Sequence, residues 1–390
     1  MAATEISPPE TLKLDSNEST VEVGASKGLE AAEATVVSVE SVEMENGPEE
    51  GAEVVPERWI QLAFTWSGKP FTLDIAESDR VFDLKASLQS LTDVPPERQK
   101  ILGLVKGKLP PEEQRIGDLK LTNGKKFTLV GTPQGHEIKD PSQIGFLPDI
   151  LNDLDIDFAA SAEATAAYRN DQRNLRKIRE ATKKLQIDII TPLRPGKRLL
   201  VLDIDYTIID SEPLTSGALP PMECIRPGLH EFLELIYPYY DICIWSQTHW
   251  RWLETKLVEI GMLGNPERNY RITLVLDYTS MFTVFSTRNG KPYSHHVKAL
   301  QIIWNHFPQY NAKNTIHVDD LGRNFVLNPG QGLKISAFKG AHTQHAQADR
   351  ELSKLANYML LIANMDDFRR LDHRDWKKFL GGTGGGRSAG

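Results

Sequence analysis

Residues Arg198 to Thr207 read RLLVLDIDYT, and this stretch decides the fold. Its first half, Leu199 to Leu202, is an unbroken apolar run of the kind used by a strand covered on both faces, which implies a parallel sheet flanked by helices. Its second half turns acidic at Asp203 and Asp205. At a strand end the chain is already bending into a loop. Both carboxylates can then approach one small volume at the C-terminal edge of the sheet, where open α/β folds bind ligands. Two carboxylates so close repel unless a cation joins them, and hard oxygen donors favour Mg²⁺. An EF-hand calcium loop would need an acidic or amide residue at position 207 and glycine at 208, but Thr207 and Ile208 stand there. The plain alternative is two solvated aspartates that merely end a strand.

Three elements downstream supply what a phosphoryl-transfer site would still lack. Asp241 to Trp245 (DICIW) is a second apolar strand that delivers Ser246, followed by a helix beginning near His249 and Trp250. A hydroxyl beside the free N–H groups of a helix start suits a phosphoryl oxygen. Lys298 lies 52 residues on, at the start of an apolar-periodic helix (Leu300, Ile303, Trp304), where an ammonium would neutralise a transferring group. Asn314 to Val318 (NTIHV) is another strand, and Asp319-Asp320 at its end offer further carboxylate for a metal. Singly, such a serine or lysine is usually structural. The order of all four is what points to chemistry.

Upstream, residues 57–132 form a separate unit. Trp59 to Trp66 and Phe71 to Ile75 read as a hairpin around the turn residues Ser67 to Pro70. Ser78 is the expected N-cap of a helix with the apolar stripe Val81, Leu84, Leu88 and Leu91, stopped by Pro95-Pro96. A strand at Lys100 to Leu104, a short element at Ile116 to Leu121, the Asn123-Gly124 turn and a last strand at Lys126 to Val130 complete the β-grasp order.

The charge is unevenly placed. Residues 1–56 hold 13 acidic residues against Lys13 and Lys27, a balance of −11 that leaves +3 for residues 57–390 out of the total of −8. With no aromatic residue and no sustained period, this segment reads as a disordered acidic tail, and GGTGGGRSAG, 381–390, as a flexible Gly-rich one. The linker, 133–190, passes through an acidic stretch, Pro148 to Asp157, into a helix. Its later part carries Arg169, Arg173, Arg176, Lys177, Arg179, Lys183 and Lys184 against Asp171 and Glu180. That basic run suits a nuclear import signal or an anion-binding face, or equally a solvated face packed beside the next domain. Two cysteines, Cys224 and Cys243, exclude a disulfide framework and a four-ligand zinc site. The starting segment has no signal-peptide pattern and no apolar run approaches 18 residues, so no membrane association is expected. The acidic balance argues against direct nucleic-acid binding.

Residues 57–132 resemble a ubiquitin-like domain. The likeness rests on the hairpin Ile60 to Ile75, VPPERQK after the helix, the Gly107-Lys108 turn, Ile116-Gly117-Asp118-Leu119 and KFTLV. Ubiquitin ends in a free Gly-Gly, whereas Val130-Gly131-Thr132-Pro133 runs on, so this unit reads as a docking module rather than a conjugated tag. Leu102 and Val130 correspond by position to ubiquitin's exposed apolar patch; the alternative is that they pack in the core.

The series Asp-x-Asp-x-Thr, Ser, Lys, Asp-Asp resembles the haloacid dehalogenase (HAD) phosphatase superfamily over roughly residues 195–345. The resemblance implies that Asp203 is a nucleophile forming an aspartyl-phosphate and that Asp205 protonates the leaving alkoxide, then activates water. It implies Mg²⁺ held by Asp203, the main-chain carbonyl of Asp205, and Asp320 or Asp319. Ser246 and Lys298 would grip phosphate, and Thr207 would brace the loop. The 39 residues from Thr207 to Ser246 leave no room for a helical cap. The next 52 are expected to hold a helix (Trp252 to Ile260) and a small β insertion made of Tyr270 to Leu276 and Phe282 to Phe285. An uncapped site is open to a macromolecule. His295-His296 is read as a surface pair.

With QKILGLVKGK, GKRLLVLDIDYT, RPGLHEF, NTIHVDDLGRNFVLNP and GLKI, residues 57–380 as a whole resemble the ubiquitin-like-domain-containing CTD phosphatases. The expected fold is an α/β HAD-type Rossmann-like parallel sheet with helices on both faces and C-terminal helices, 191–380, preceded by the β-grasp domain. The resemblance implies a nuclear phosphoserine/phosphothreonine protein phosphatase that docks on the 26S proteasome through its ubiquitin-like domain and dephosphorylates it. Phosphopeptides like those of the RNA polymerase II CTD are a further substrate class. The rival expectations are a silent phosphoprotein-binding adaptor and a phosphatase of small phosphate esters.

Overall fold

The computed structural model describes residues 57–133, 154, 158, 161–185, 187 and 189–382. The expected acidic tail, most of the 148–157 stretch and the Gly-rich end from 383 lie outside the described residues.

The β-grasp unit comprises β1 (Trp59–Trp66), β2 (Lys69–Ala76), α1 (Val81–Thr92), β3 (Lys100–Leu102) and β4 (Lys125–Val130), in the sheet order β2-β1-β4-β3. β1 runs antiparallel to β2 and parallel to β4. The β1–β2 turn places Ser67 and Gly68 at φ 49° and 76°, the left-handed pair that a two-residue hairpin turn requires. Alternate residues Ile60, Leu62 and Phe64 point inward and meet Val81, Leu84 and Leu88 of α1. Leu91, expected in that stripe, is exposed. The N-cap is Arg80 rather than Ser78: Asp83 reaches back to accept the Arg80 N–H at 2.9 Å, while the Ser78 hydroxyl donates to Glu57 and accepts from Arg176.

After this unit come α2 (Ala162–Arg169), α3 (Gln172–Lys184), β5 (Arg198–Leu202), α4 (Ser211–Ser216), α5 (Leu229–Ile236), β6 (Tyr240–Trp245), α6 (Trp250–Glu259) and β7 (Ile272–Leu276). The chain continues through β8 (Phe282–Arg288), β9 (Lys291–Val297), α7 (Leu300–His306), β10 (Thr315–Asp319), β11 (Gly332–Lys334), α8 (Gln344–Gln347), α9 (Glu351–Ile362) and α10 (Trp376–Gly382). The sheet order is β11-β10-β5-β6-β7, and every pairing in it is parallel. The apolar run is divided between its two faces. Leu200 and Leu202 pack with Phe232, Leu253 and Met359, and Leu199 and Val201 with Leu300, Ile303 and Ile178. Among the described residues no helix is long and apolar enough to cross a membrane, and both cysteines are free and buried.

Two further expectations change. Tyr270 to Leu276 is not part of an insertion, because Ile272, Leu274 and Leu276 are buried as the edge strand beside β6. The insertion is the β8–β9 hairpin, whose return strand KPYSHHV is too polar to announce itself. The basic linker helix is two helices, broken where Asp171 caps α3 by accepting the N–H groups of Arg173 and Asn174. Its Arg173 and Arg176 are buried against carboxylates of the β-grasp unit instead of lying on a solvated face.

Candidate active site

Strand order reverses at β5: β6 and β7 lie to one side, β10 and β11 to the other. Such a reversal opens a crevice at the C-terminal strand ends. Asp203 follows β5, Asp319 ends β10 with Asp320 next, and Ser246 follows β6. Lys298 arrives directly after β9 and is fully buried.

The Lys298 ammonium donates to Asp203 Oδ1 at 2.5 Å and to Asp319 Oδ2 at 2.7 Å. Thr207 Oγ1 donates to Asp203 Oδ2 at 2.7 Å and accepts the Asp320 N–H at 3.2 Å. Tyr206 between them has φ 61°, a left-handed conformation uncommon for a non-glycine residue and typical of strained functional loops. The buried Arg226 guanidinium supports the loop by donating to the Thr207 carbonyl at 2.9 Å while it pairs with Asp349.

One carboxylate oxygen each from Asp203, Asp319 and Asp320 lies within 4.8 Å of the others. A single lysine cannot neutralise three carboxylates, and the titration shifts record this. Burial first, then Asp319, pushes Asp203 up to about 7. Burial, then Asp319 and Asp203, pushes Asp320 up to about 8. Burial also works against ionised Asp319, but Lys298 and His317 outweigh it and hold that carboxyl below its ordinary range. Asp319 is already engaged by Lys298, by Asn324 Nδ2 at 2.8 Å and by the Leu321 N–H at 2.9 Å. Asp320 receives a long 3.5 Å contact from Thr207. The donor set therefore fits a hard divalent cation; Asp320 is the least engaged of the three carboxylates, while Asp203 and Asp319 together hold Lys298.

Asp205 stands apart from this cluster. It accepts from Lys256 at 2.7 Å, Thr248 Oγ1 at 3.0 Å, Ser246 Oγ at 3.2 Å and the Ser211 hydroxyl. Burial opposes its charge, but Lys256 and the hydroxyls prevail and keep its carboxyl below the usual range. Ser246 is fully buried and also accepts the Thr248 N–H at 3.0 Å. Thr248, Lys256, Ser211 and Asn324 went unrecognised in the sequence. Thr248 shares the strand-to-helix loop of Ser246, and Lys256 sits in the inward stripe between Leu253 and Leu257. A lysine in such a stripe is the signal that could have found it.

No cap intervenes: residues 208–245 contain α4, a short 3₁₀ turn, α5 and β6. Leu102 and Val130 lie far from the crevice in sequence, on β3 and β4, and are 54% and 47% exposed, so neither packs in the core. The histidine pair is split. His295 is buried and stacked on Tyr293, while His296 is exposed.

The NLI interacting factor-like phosphatase family model matches residues 198–369, and the ubiquitin family model matches residues 60–134. Ubiquitin-like domain-containing CTD phosphatase 1 of Homo sapiens is 42% identical over 327 residues, covering 82% of this chain and 98% of that protein. The protein of the same name from Danio rerio is 41% identical over 326 residues, with the same coverage. The chain belongs to the ubiquitin-like-domain-containing CTD phosphatases. As a member of that family it is a phosphoprotein phosphatase, and its parallel α/β sheet and its β-grasp unit are the phosphatase and ubiquitin-like parts.

Proposed function

We propose that this CTD-phosphatase family member hydrolyses phosphoserine and phosphothreonine in proteins through a phosphoryl-Asp203 intermediate, with Mg²⁺ as cofactor. The observation that carries the reading is the Asp203 carboxylate itself, clamped between Lys298 and Thr207 at the end of β5 in a cluster with too few cations.

An Asp203 oxygen attacks phosphorus, the ester P–O bond breaks, and the serine or threonine alkoxide takes a proton from Asp205. Water then attacks the phosphoryl group, gives its proton to Asp205, and inorganic phosphate leaves with Asp203 regenerated. Lys298 offsets charge on the transferring oxygens. The four donors around Asp205 keep it ionised between steps, and both as base and as acid it must take up a proton against them. Mg²⁺, held by Asp203, Asp320 and the Asp205 carbonyl, would supply electrostatic stabilisation of the transferring phosphoryl group.

The exposed Leu102 and Val130 support docking of the ubiquitin-like domain on the 26S proteasome, with proteasome subunits as substrates. The names of the relatives add CTD-type phosphopeptides as a second substrate class. A nuclear location is proposed from the basic linker helix, whose Lys183 and Lys184 remain exposed. The silent-adaptor and small-ester readings are disfavoured by the assembled nucleophile, lysine and carboxylates and by the open crevice. Phosphate release from a phosphoserine peptide, measured with Mg²⁺ and after chelation, tests the proposal. Turnover that survives chelation, or Asp203→Asn, contradicts it.

A further inference from the structure

The basic helix α3 is the sequence feature that the phosphatase chemistry leaves unused, and it has two working sides. One packs on the catalytic unit: Ile178 joins the core beneath β5, and Thr182 contacts Asn305 and His306 of α7 at 3.2 and 3.1 Å. The other meets the ubiquitin-like domain. Arg173 makes a bidentate pair with Asp83, both distances 2.6 Å, and Arg176 pairs with Asp79 and, at 2.5 Å, with Glu57. All four carboxylate and guanidinium groups of the Asp83 and Asp79 pairs are less than a tenth exposed. Fork-to-fork geometry of this kind sets orientation as well as attraction.

The clamp presses the ubiquitin-like domain onto one further element. Phe285 of β8 receives the Arg80 guanidinium over its ring at 4.5 Å, the Arg173 guanidinium at 5.6 Å, and the Phe82 ring edge-on at 6.0 Å. Phe285 pairs across the hairpin with Ser294 of β9, and Phe282 with Val297, the residue immediately before Lys298. Lys298 then donates its backbone N–H to Asn324 and its ammonium to Asp203 and Asp319. The hairpin is thus held mid-strand at Phe285 by the ubiquitin-like domain and runs directly into the active-site lysine.

We propose that α3 is an intramolecular clamp whose Arg173 and Arg176 lock the ubiquitin-like domain onto the β8–β9 hairpin, and that this contact seats Lys298 for catalysis. Phe285 is then a positioning residue. Leu102 and Val130 are not part of the clamp, so the exposed face stays open to a partner while the domain is docked. The turnover half of the proposal rests on the phosphatase reading; the clamp half does not.

Arg173→Asp in the full chain, followed by small-angle X-ray scattering and by kcat and KM on a phosphoserine peptide, tests both halves. The expected result is a larger radius of gyration and a kcat lower by about 10- to 100-fold, the scale of a small misplacement of a catalytic group, with KM changed less than about twofold. The charge swap Arg173→Asp with Asp83→Arg is expected to restore both readouts. Phe285→Ala, which leaves the ion pairs intact, is expected to lower kcat without changing the scattering, so the seating step is tested even if the reversal misfolds. Unchanged scattering in a folded Arg173→Asp, or a swap that restores nothing, overturns the clamp. Domain separation at unchanged kcat, or an unaffected Phe285→Ala, overturns the seating. If no variant, including the parent, turns over phosphopeptide, the phosphatase reading fails while scattering still decides the clamp.

Discussion

Among the described residues, the buried charges at the clamp and at the crevice are built on opposite plans. At the clamp, Arg173 and Arg176 face Asp83, Asp79 and Glu57, with Lys177 3.8 Å from Asp83, so charge of each sign is matched. At the crevice, Asp203, Asp319 and Asp320 share one lysine. A structural cluster is complete within the protein, whereas the crevice leaves negative charge for something else to meet. The shifts follow the same division. Burial opposes ionised Asp83, but the guanidinium of Arg173 outweighs it and holds the carboxyl below its ordinary range, while Asp203 and Asp320 are pushed far above theirs. Asp79 departs from the pattern, its carboxyl raised by burial and by Asp83 despite Arg176.

Removing charge should therefore have opposite consequences at the two places. Asp203→Asn is expected to lower turnover by at least about 10⁴-fold, the scale seen when a nucleophile is lost. It should leave the melting temperature of the metal-free protein unchanged or raised, because a repelling charge has gone; Asp320→Asn should likewise not lower it. At the clamp, Asp83→Asn strands Arg173 and is expected to destabilise by about 3–5 kcal/mol, the cost of breaking a buried pair from one side. Denaturant melts of the three variants check the contrast. A destabilised Asp320→Asn beside a neutral Asp83→Asn would break it.

The crevice also predicts a pH slope. With Asp203 and Asp320 raised to about 7 and about 8 from a starting value of 3.8, each of these carboxyls holds its proton more strongly in the folded metal-free chain than in the unfolded chain across that window, whereas His230, His295, His296, His306, His317 and His373, all pushed down from 6.5 by burial, hold theirs less strongly. The two sets oppose each other below about pH 6.5; from there to pH 8 the two carboxyls set the sign, and stability falls as pH rises, by at most ~1.4 kcal/mol per group and pH unit. Asp319, shifted down, contributes stability that is present above 3.8 and lost only below it. Lys298, shifted up, contributes stability lost only above the ordinary lysine range, so neither reverses the slope. Thermal melts after chelation should show the decline, and Mg²⁺ should offset it most at pH 8. A metal-free protein as stable at pH 8 as at pH 6.5 would remove the charge-excess argument.

The smallest effect belongs to the exposed face. Leu102→Ala is expected to change stability by no more than about 0.5 kcal/mol while abolishing recovery of the 26S proteasome by the full chain. Recovery equal to that of the parent would show that docking uses another surface.

What could be read in advance follows the range of the interactions. LLVL followed by DIDYT identified the central strand and both aspartates because an apolar run and the turn after it are local features. The hairpin and helix of the β-grasp unit were legible for the same reason. Asp83 and Arg173 are 90 residues apart, Asp79 and Arg176 are 97, and nothing near either pair marks its partner, so the basic run passed for a surface feature. Lys256 meets Asp205 across 51 residues. β7 was misplaced because a buried edge strand and an insertion strand have the same alternating pattern until the neighbouring strand is known.

The phosphoryl group itself provides the most direct test of the account. Asp205→Asn protein, supplied with Mg²⁺ and an aryl phosphate whose leaving group needs no proton, should form the covalent intermediate but lack the base that hydrolyses it. Rapid quenching and peptide mass mapping should then find the phosphoryl group on Asp203 and none on the Asp203→Asn variant. No trapped phosphoryl group, or one on any other residue, would contradict the assignment of Asp203 as nucleophile.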